Sequence, residues 1–338
     1  MSPKTLHDLG EDGVIQLIHG RALASLPSRV RKGIGEDCAV LETRGDALLL
    51  VTTDTLIEGI HFTAKTLPPQ ALGWKALAVN VSDIAAVGGT PHTAFLSIGM
   101  KSETEVSFVE SFMAGFEAMA AKTDIVLAGG DTVESPSGAV ITITLLGEGR
   151  PEHLVYRSGA KIGDDIWVTG PLGNAAAGLF ILLNKDPAEL AGYESLITAL
   201  QKPMPQFEVG KALGQSGLVQ AMIDISDGLA KDLRHICEES GTGALVEAAS
   251  LPLSEQLKKL ASLAGMDPMD WALRGGEDYE LLFTASPANK DKLMSLTTQV
   301  LGRPAVKIGM IDQQEGIRIE TDKGTQRLGP GGFAHFSR

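Results

Sequence analysis

Val51-Thr52-Thr53-Asp54-Thr55-Leu56-Ile57-Glu58-Gly59-Ile60-His61-Phe62 is the stretch from which the rest of the chain is read. It follows the apolar run 47–51, which reads as a buried strand. Two hydroxyls and a carboxylate then stand in a row, and the chain turns at Gly59 before offering His61. Oxygen donors where a strand exits into a loop suit a hard cation. The same side chains could instead cap backbone groups in a turn. The stretch alone leaves both readings open, and the recurrence of similar carboxylates along the chain gives the first its weight.

Outward from this point, apolar patterns alternate between strand and helix. Upstream, 38–41 reads as a short strand that pairs with 47–51 as a hairpin across Arg44-Gly45-Asp46, and 25–32 reads as a loop. Val14, Ile15, Leu17 and Ile18 mark an amphipathic helix before it. Downstream, 68–87 is helical with a broad apolar surface broken only by Lys75, Asn80, Ser82 and Asp83. A carboxylate near the C-terminal part of so apolar a helix opposes the helix dipole, so Asp83 calls for a cation beside it or an outlet to solvent. Strand 93–100 precedes a helix that Ser102-Glu103-Thr104-Glu105 is expected to cap. Strand 124–127 ends in Gly129-Gly130-Asp131, where two glycines would let a ligand approach the backbone and Asp131 would sit at the strand tip. Further strands are read at 139–146, 166–169, 219–224, 244–246 and 281–284, and further helices at 175–183, 206–213, from Gly228 onward and at 254–263, with a strand-rich C-terminal end. The class is mixed α/β.

With 338 residues, 43% of them hydrophobic, the chain can bury two cores. The linker character of 147–163 sets the expected boundary, giving domains 1–155 and 156–338. A net charge of -13 without a basic cluster argues against a nucleic-acid partner. It also means that an anionic substrate would need bridging cations. Cys38 and Cys237 stand alone and read as reduced packing residues. No apolar run is long enough to span a membrane and Met1-Ser2-Pro3-Lys4 lacks an apolar signal region, so a cytoplasmic protein is expected.

No Walker A loop, dinucleotide glycine motif or GxSxG element is present. What recurs is a carboxylate beside Gly, Ser or Thr: Asp37, Asp54, Asp83, Asp131, Asp224 and Asp227. Each alone is more often a cap or turn residue, and Asp224 and Asp227 could cap the helix from Gly228. Together they are the residue types that hold Mg2+ while water and phosphate oxygens fill the remaining positions. Phosphoryl transfer needs such positioning and neutralisation more than it needs covalent chemistry.

Gly33-Ile34-Gly35-Glu36-Asp37, Thr52-Thr53-Asp54-Thr55-Leu56, Gly59-Ile60-His61-Phe62, Lys75-Ala76-Leu77-Ala78-Val79-Asn80-Val81-Ser82-Asp83, Gly129-Gly130-Asp131-Thr132, Arg157-Ser158-Gly159-Ala160, Asp224-Ile225-Ser226-Asp227-Gly228-Leu229 and Gly275-Gly276-Glu277-Asp278-Tyr279-Glu280-Leu281 occur in that order. Taken together, they resemble the thiamine-monophosphate kinase family, within the wider superfamily of aminoimidazole ribonucleotide synthetase. The resemblance implies ATP-dependent phosphorylation of thiamine phosphate to thiamine diphosphate. It implies that Asp37, Thr52, Thr53, Asp54, Asp83, Asp131, Asp224 and Asp227 hold Mg2+ ions around the ATP phosphates. Gly130, Asp131, Arg157 and Ser226 would meet ATP, and His61, Glu277 and Phe333 would meet thiamine phosphate. The implied fold is an N-terminal α/β domain whose strands form a barrel with a partner subunit, then a second α/β domain, and hence a homodimer.

Three departures stand out. The family commonly has Gly-Asp-Asp where this chain has Gly35-Glu36-Asp37; the second acid is kept. Phe333 stands where relatives carry a hydroxylated ring, which removes a hydrogen bond but leaves a stacking face. Residues 121–123 offer no aromatic to an adenine, so the base contacts stay unassigned. Two other readings stay in view: a related ATP-dependent synthetase or cyclase, and a non-catalytic Mg-nucleotide scaffold, against which the six aspartates argue. No Ser, Cys or His has a nucleophile-and-base arrangement, so no catalytic nucleophile or strong base is expected and transfer would be direct and in line.

Overall fold

The computed structural model describes residues 5–22, 29–186, 190–329 and 331–336. Two sheets organise it. The first has six strands: β1 (Val30–Lys32), β2 (Ala39–Leu41), β3 (Leu48–Ile57), β4 (Thr90–Met100), β5 (Val126–Glu134) and β6 (Val140–Gly149). Their spatial order is β1-β2-β3-β6-β4-β5. The second has seven: β7 (Asp165–Val168), β8 (Val219–Asp224), β9 (Gly243–Glu247), β10 (Leu281–Ala285), β11 (Val306–Asp312), β12 (Gly316–Thr321) and β13 (Gly324–Arg327), in the order β13-β12-β9-β11-β7-β10-β8. The mixed α/β, two-domain class expected from the alternating patterns is what the chain adopts. Within one chain the six-stranded sheet is open, with β1 and β5 as its edges, so the barrel expected with a partner subunit is not closed by a single chain.

Helices α1 (Leu6–Ala22), α2 (Pro69–Ala86) and α3 (Val106–Thr123) belong to the first half. Helix α2 is the pivot. Nearly all of its residues are buried, because its apolar side chains run round the whole cylinder. One side packs with α3 against β3, β4 and β6, in a core built on Leu72, Leu77, Ile84, Phe112, Phe116, Ile141 and Ile143. Ala85 and Ala86 pack instead with Trp167, Met222 and Phe283 of the second sheet. The helix therefore joins both halves.

The second half adds α4 (Asn174–Asn184), α5 (Glu194–Gln201), α6 (Phe207–Ser216), α7 (Leu229–Ser240), α8 (Glu255–Ala264), α9 (Pro268–Arg274) and α10 (Lys290–Leu301). Of these α5, α9 and α10 are absent from the sequence-based expectation. In α10 the β-branched Thr297 masks the helix, yet its hydroxyl donates to Leu293 O at 2.8 Å and accepts from Ala305 N at 2.9 Å. A tertiary contact thus satisfies a residue whose propensity opposes helix.

Three local expectations differ from the structure. Residues 30–32, expected in a loop, form the edge strand β1. The Ser102–Glu105 cap does not form: α3 begins after Glu105 without a side-chain cap, and Ser102 donates to Glu103 instead. Both strand tips are interior positions. Thr52, Thr53 and Asp54 lie inside β3, and Gly129–Thr132 lie inside β5. Threonines are good strand formers, and Thr53 and Thr55 meet Thr144 and Thr142 across the β3–β6 ladder at 3.1 and 2.8 Å, so the strand continues through the polar stretch.

Candidate active site

A cleft of about 520 Å³ lies where the halves meet. Asp54, Thr55, His61, Val79 and Asp83 line it from the first half, and Ala176, Leu179, Asp224, Ser226, Asp227, Gly276, Glu277 and Tyr279 from the second. Glu11 of α1 and Phe333 and His335 of the C-terminal segment complete the rim.

The acidic end is built from four chain segments. Asp37 stands two residues before β2, Asp54 is on the inner face of β3, Asp83 is in the last turn of α2, and Asp224 ends β8. Carboxylate oxygens of Asp37, Asp83 and Asp224 all lie within 4.8 Å of one another. Burial, reinforced by the neighbouring acids, pushes each carboxyl above its ordinary range: Asp224 to about 8, Asp54 to about 6, and Asp37 and Asp83 upward as well. Asp227 is also raised by burial, against the pull of Lys231.

Some hydrogen bonds hold these groups in place. Thr52 donates to Asp83 Oδ2, and Ser82 donates to Asp224 Oδ2 at 2.5 Å. Arg157 grips Asp37 Oδ1 through Nε and Nη2 and Gly35 O through Nη1, using three of its five donors. Asp37 Oδ2, however, is buried with no hydrogen-bond partner among the described residues. A buried carboxylate oxygen without a donor, beside two more carboxylates, is costly unless a cation joins it. The donor set is all oxygen, and it fits a hard divalent ion.

The loop Asp224–Gly228 is shaped by its neighbours, and neither Asp224 nor Asp227 caps α7. Asp232, one turn into the helix, accepts the N–H groups of Asp227 and Gly228 at 3.2 and 3.0 Å. Residues 275–280 pair back onto this loop: Glu277 N–H reaches Ser226 O at 2.7 Å and Tyr279 N–H reaches Ile225 O at 2.9 Å. Glu277 and Tyr279 adopt φ of 68° and 51°, a left-handed backbone rare for side-chain-bearing residues and tolerated where surroundings over-determine it.

Part of the rim is aromatic. Phe333 and His335 lie 6.2 and 5.2 Å from His61, ring centre to ring centre. Phe333 N–H donates to Asp227 O at 3.1 Å, and Lys231 Nζ binds Phe333 O at 3.0 Å, Asp227 Oδ2 at 2.7 Å and Glu11 Oε2 at 3.2 Å. Lys231 thus ties both chain ends to the acidic loop. His61 Nδ1 accepts from Ile57 N–H at 3.0 Å, and burial, then His335, lowers its pKa. Its Nε2 faces Nε2 of His335 at 3.4 Å, and the ring lines the cleft.

Not every expected residue converges. Thr53 Oγ1 lies on the outer face of β3 with Thr144, opposite Thr52 and Asp54, as strand alternation requires. Asp131 is exposed on β5, neither lining the cleft nor within the acidic cluster, and its Oδ1 accepts from Thr132 N–H at 2.9 Å. Gly130 has a packing reason to be glycine: a Cβ there would lie 1.7 Å from Leu96 O of the adjoining strand. Sequence reading did not single out Glu11, Lys231, Asp232 or His335 for the site. Lys231 and Asp227 stand at the i, i+4 spacing that could have drawn attention to the pair. Glu11 and His335 carry no local signal, because only the meeting of the chain ends brings them to the cleft.

Comparison with known proteins gives a consistent result. The family model for AIR synthase related protein matches residues 35–149 with its N-terminal domain and 161–322 with its C-terminal domain. The thiamine-monophosphate kinase of Aquifex aeolicus (strain VF5) is 36% identical over 335 residues, covering 98% of this chain and 99% of that protein. That of Escherichia coli (strain K12) is 37% identical over 91% of this chain and 93% of its own length. Among solved structures, AaThiL complexed with AMPPCP and TMP superposes with a TM-score of 0.84 at 33% identity, covering 99% of this chain and 100% of that one.

Proposed function

The chain belongs to the thiamine-monophosphate kinase family, and from that premise we propose that it transfers the γ-phosphoryl group of ATP directly to the phosphate of thiamine phosphate, forming thiamine diphosphate. The observation that carries the reading is the buried triad Asp37, Asp83 and Asp224, with its unpartnered Asp37 oxygen, beside a cleft whose rim also carries aromatic and polar side chains. Such a set suits the charge of a polyphosphate only with cations between them. Asp37, Asp83 and Asp224 would hold Mg2+, with Asp54 and Asp227 beside them and Thr52 orienting Asp83. Mg2+ there supplies neutralisation of the charge on the transferring phosphoryl group.

The protein's own groups orient and shield. Arg157, already balancing Asp37, keeps two donors for an ATP phosphate, and Ser226 lines the cleft from the loop between β8 and α7. His61, held through Nδ1 by Ile57 N–H and paired through Nε2 with His335, would position the acceptor, and Phe333 would offer a ring face to its heterocycle. Glu277 accepts from the acceptor's amine or faces its ring cation. The acceptor phosphate is already an anionic nucleophile, so no side chain needs to remove a proton.

Asp131, Gly130 and Thr53 enter this reading through a second copy. Strand β5 is exposed at every residue, including the large apolar Val126, Leu127 and Val133, and forms an open edge. A partner covering that strand would shield it and turn the open sheet into a shared barrel. Among the described residues no helix is long and apolar enough to cross a membrane, and a cytoplasmic homodimer is the corresponding proposal. The test is ADP release with Mg2+ and ATP against thiamine phosphate, thiamine and formylglycinamidine ribonucleotide. Turnover with thiamine phosphate alone is expected; preference for either other acceptor would overturn the substrate. With chirally labelled γ-phosphate, inversion at phosphorus is expected, and retention would reveal a phosphoenzyme.

A further inference from the structure

Lys75 is 1% exposed, on the helix that joins the two halves. A lysine ammonium removed from water is unfavourable unless paired. Its partner is Glu277 Oε1 at 2.5 Å, and no second ion pair is formed by it among the described residues. Glu277 in turn lines the cleft and keeps part of its side chain exposed there. Its backbone is fixed by the hydrogen bond to Ser226 O, and its side chain by Lys75. The carboxylate is therefore held from two directions.

The spacing on α2 gives this pair its meaning. Lys75, Val79 and Asp83 follow one another at four-residue steps, so they share a helix face, and Val79 and Asp83 both line the cleft. At the usual helical rise the Lys75 and Asp83 backbones are about 12 Å apart along the axis. One rigid face thus carries Asp83 of the acidic cluster and, two turns away, the buried Lys75 that pairs with Glu277 of the cleft wall. His61 lies near the pair, since its pKa, lowered chiefly by burial, is also influenced by both Glu277 and Lys75.

We propose that Lys75 is a positioning residue for the acceptor: its buried ammonium orients the Glu277 carboxylate toward the cleft and so sets the affinity for thiamine phosphate, apart from the phosphoryl transfer itself. The inference rests on the functional reading above, which assigns Glu277 to the acceptor. A merely structural ion pair would weaken the fold without distinguishing between the two substrates.

The test uses the full-length enzyme with Mg2+ and compares Lys75→Met, Glu277→Gln and the double variant. Each single change is expected to raise KM for thiamine phosphate roughly 10- to 100-fold, the range seen when an outer-shell hydrogen-bond partner is lost. KM for ATP and kcat should change little. The double variant should be no worse than the weaker-binding single variant, since both remove one unit. Lys75→Gln, which keeps a donor one bond shorter and uncharged, is carried in parallel and decides the matter should Lys75→Met not fold. Calorimetric binding of thiamine phosphate must show the same loss. Equal effects on both substrates, a fall in kcat at unchanged KM, or multiplied effects in the double variant would overturn the proposal. If Glu277→Gln raises KM for thiamine phosphate and neither Lys75 variant does, the proposal alone fails. If Glu277→Gln leaves that KM unchanged, the assignment of Glu277 fails and takes the proposal with it.

Discussion

Strands β5 and β10 are opposites. Every residue of β5 is exposed, while every residue of β10 is buried between β7 and β8. Around β10 the second sheet is covered on both faces: Leu282 joins one core, and Leu281 and Phe283 join another with α2 and α6. The first sheet has a core on one face only, where α2 and α3 pack. Its other face carries Thr53, Thr55, Phe95, Thr142 and Thr144. The second half completes itself; the first is left with an edge and a face that a single chain does not cover. The cleft lies between them, so its acidic cluster draws on both kinds of half.

The largest expected effects test whether both halves are needed at that seam. Asp83→Asn in the first half and Asp224→Asn in the second should each lower kcat by on the order of 100- to 1,000-fold, the scale of losing one preorganised charge contact. Circular dichroism should show both variants folded. Near-normal turnover in either at ordinary Mg2+ would remove that residue, and its half, from the metal set.

Core truncation sharpens the contrast next. Phe283→Ala in the closed half should cost about 3–5 kcal/mol in urea unfolding, as for other fully buried rings. Phe95→Ala, 39% exposed on the uncovered face, should cost less than about 1 kcal/mol in dilute protein. A similar cost at both sites would mean that the face of the first sheet is covered in solution.

A smaller effect concerns the edge. Val133→Lys on β5 should shift the light-scattering mass from two chains to one, whereas Leu263→Lys, on an exposed position of α8, should leave it unchanged. A monomeric parent protein would break the comparison at this point.

The smallest effect is in pH. Asp224 and Asp54 titrate near 8 and 6 in the folded protein, above the ordinary 3.8, so the folded state binds more protons across that window. Stability of the chelated protein should fall as pH rises from about 4 to about 8, by a few degrees in Tm. Mg2+ should offset the loss most at the alkaline end, because it binds the ionised carboxylates and releases protons. A Tm that rises with pH in chelator would contradict the clustering of these acids.

The sequence by itself determined the elements whose periodicity is strong. Helix α2, the strand β8 and the mixed α/β class follow from apolar spacing alone, and the ordered motifs, read as a set, point to the thiamine-monophosphate kinase family. It also marked each carboxylate as a candidate, since Gly, Ser and Thr neighbours are local features. Only the tertiary structure decided which of them converge. Asp37, Asp83 and Asp224 meet because β2, α2 and β8 are brought together by long-range packing, while Thr53 is turned away by the two-residue alternation of the strand that carries it. The pairing of Lys75 with Glu277 is likewise invisible along the chain. Local patterns report the face on which a side chain lies; the group it meets there is set by contacts between residues far apart in sequence, which no spacing encodes.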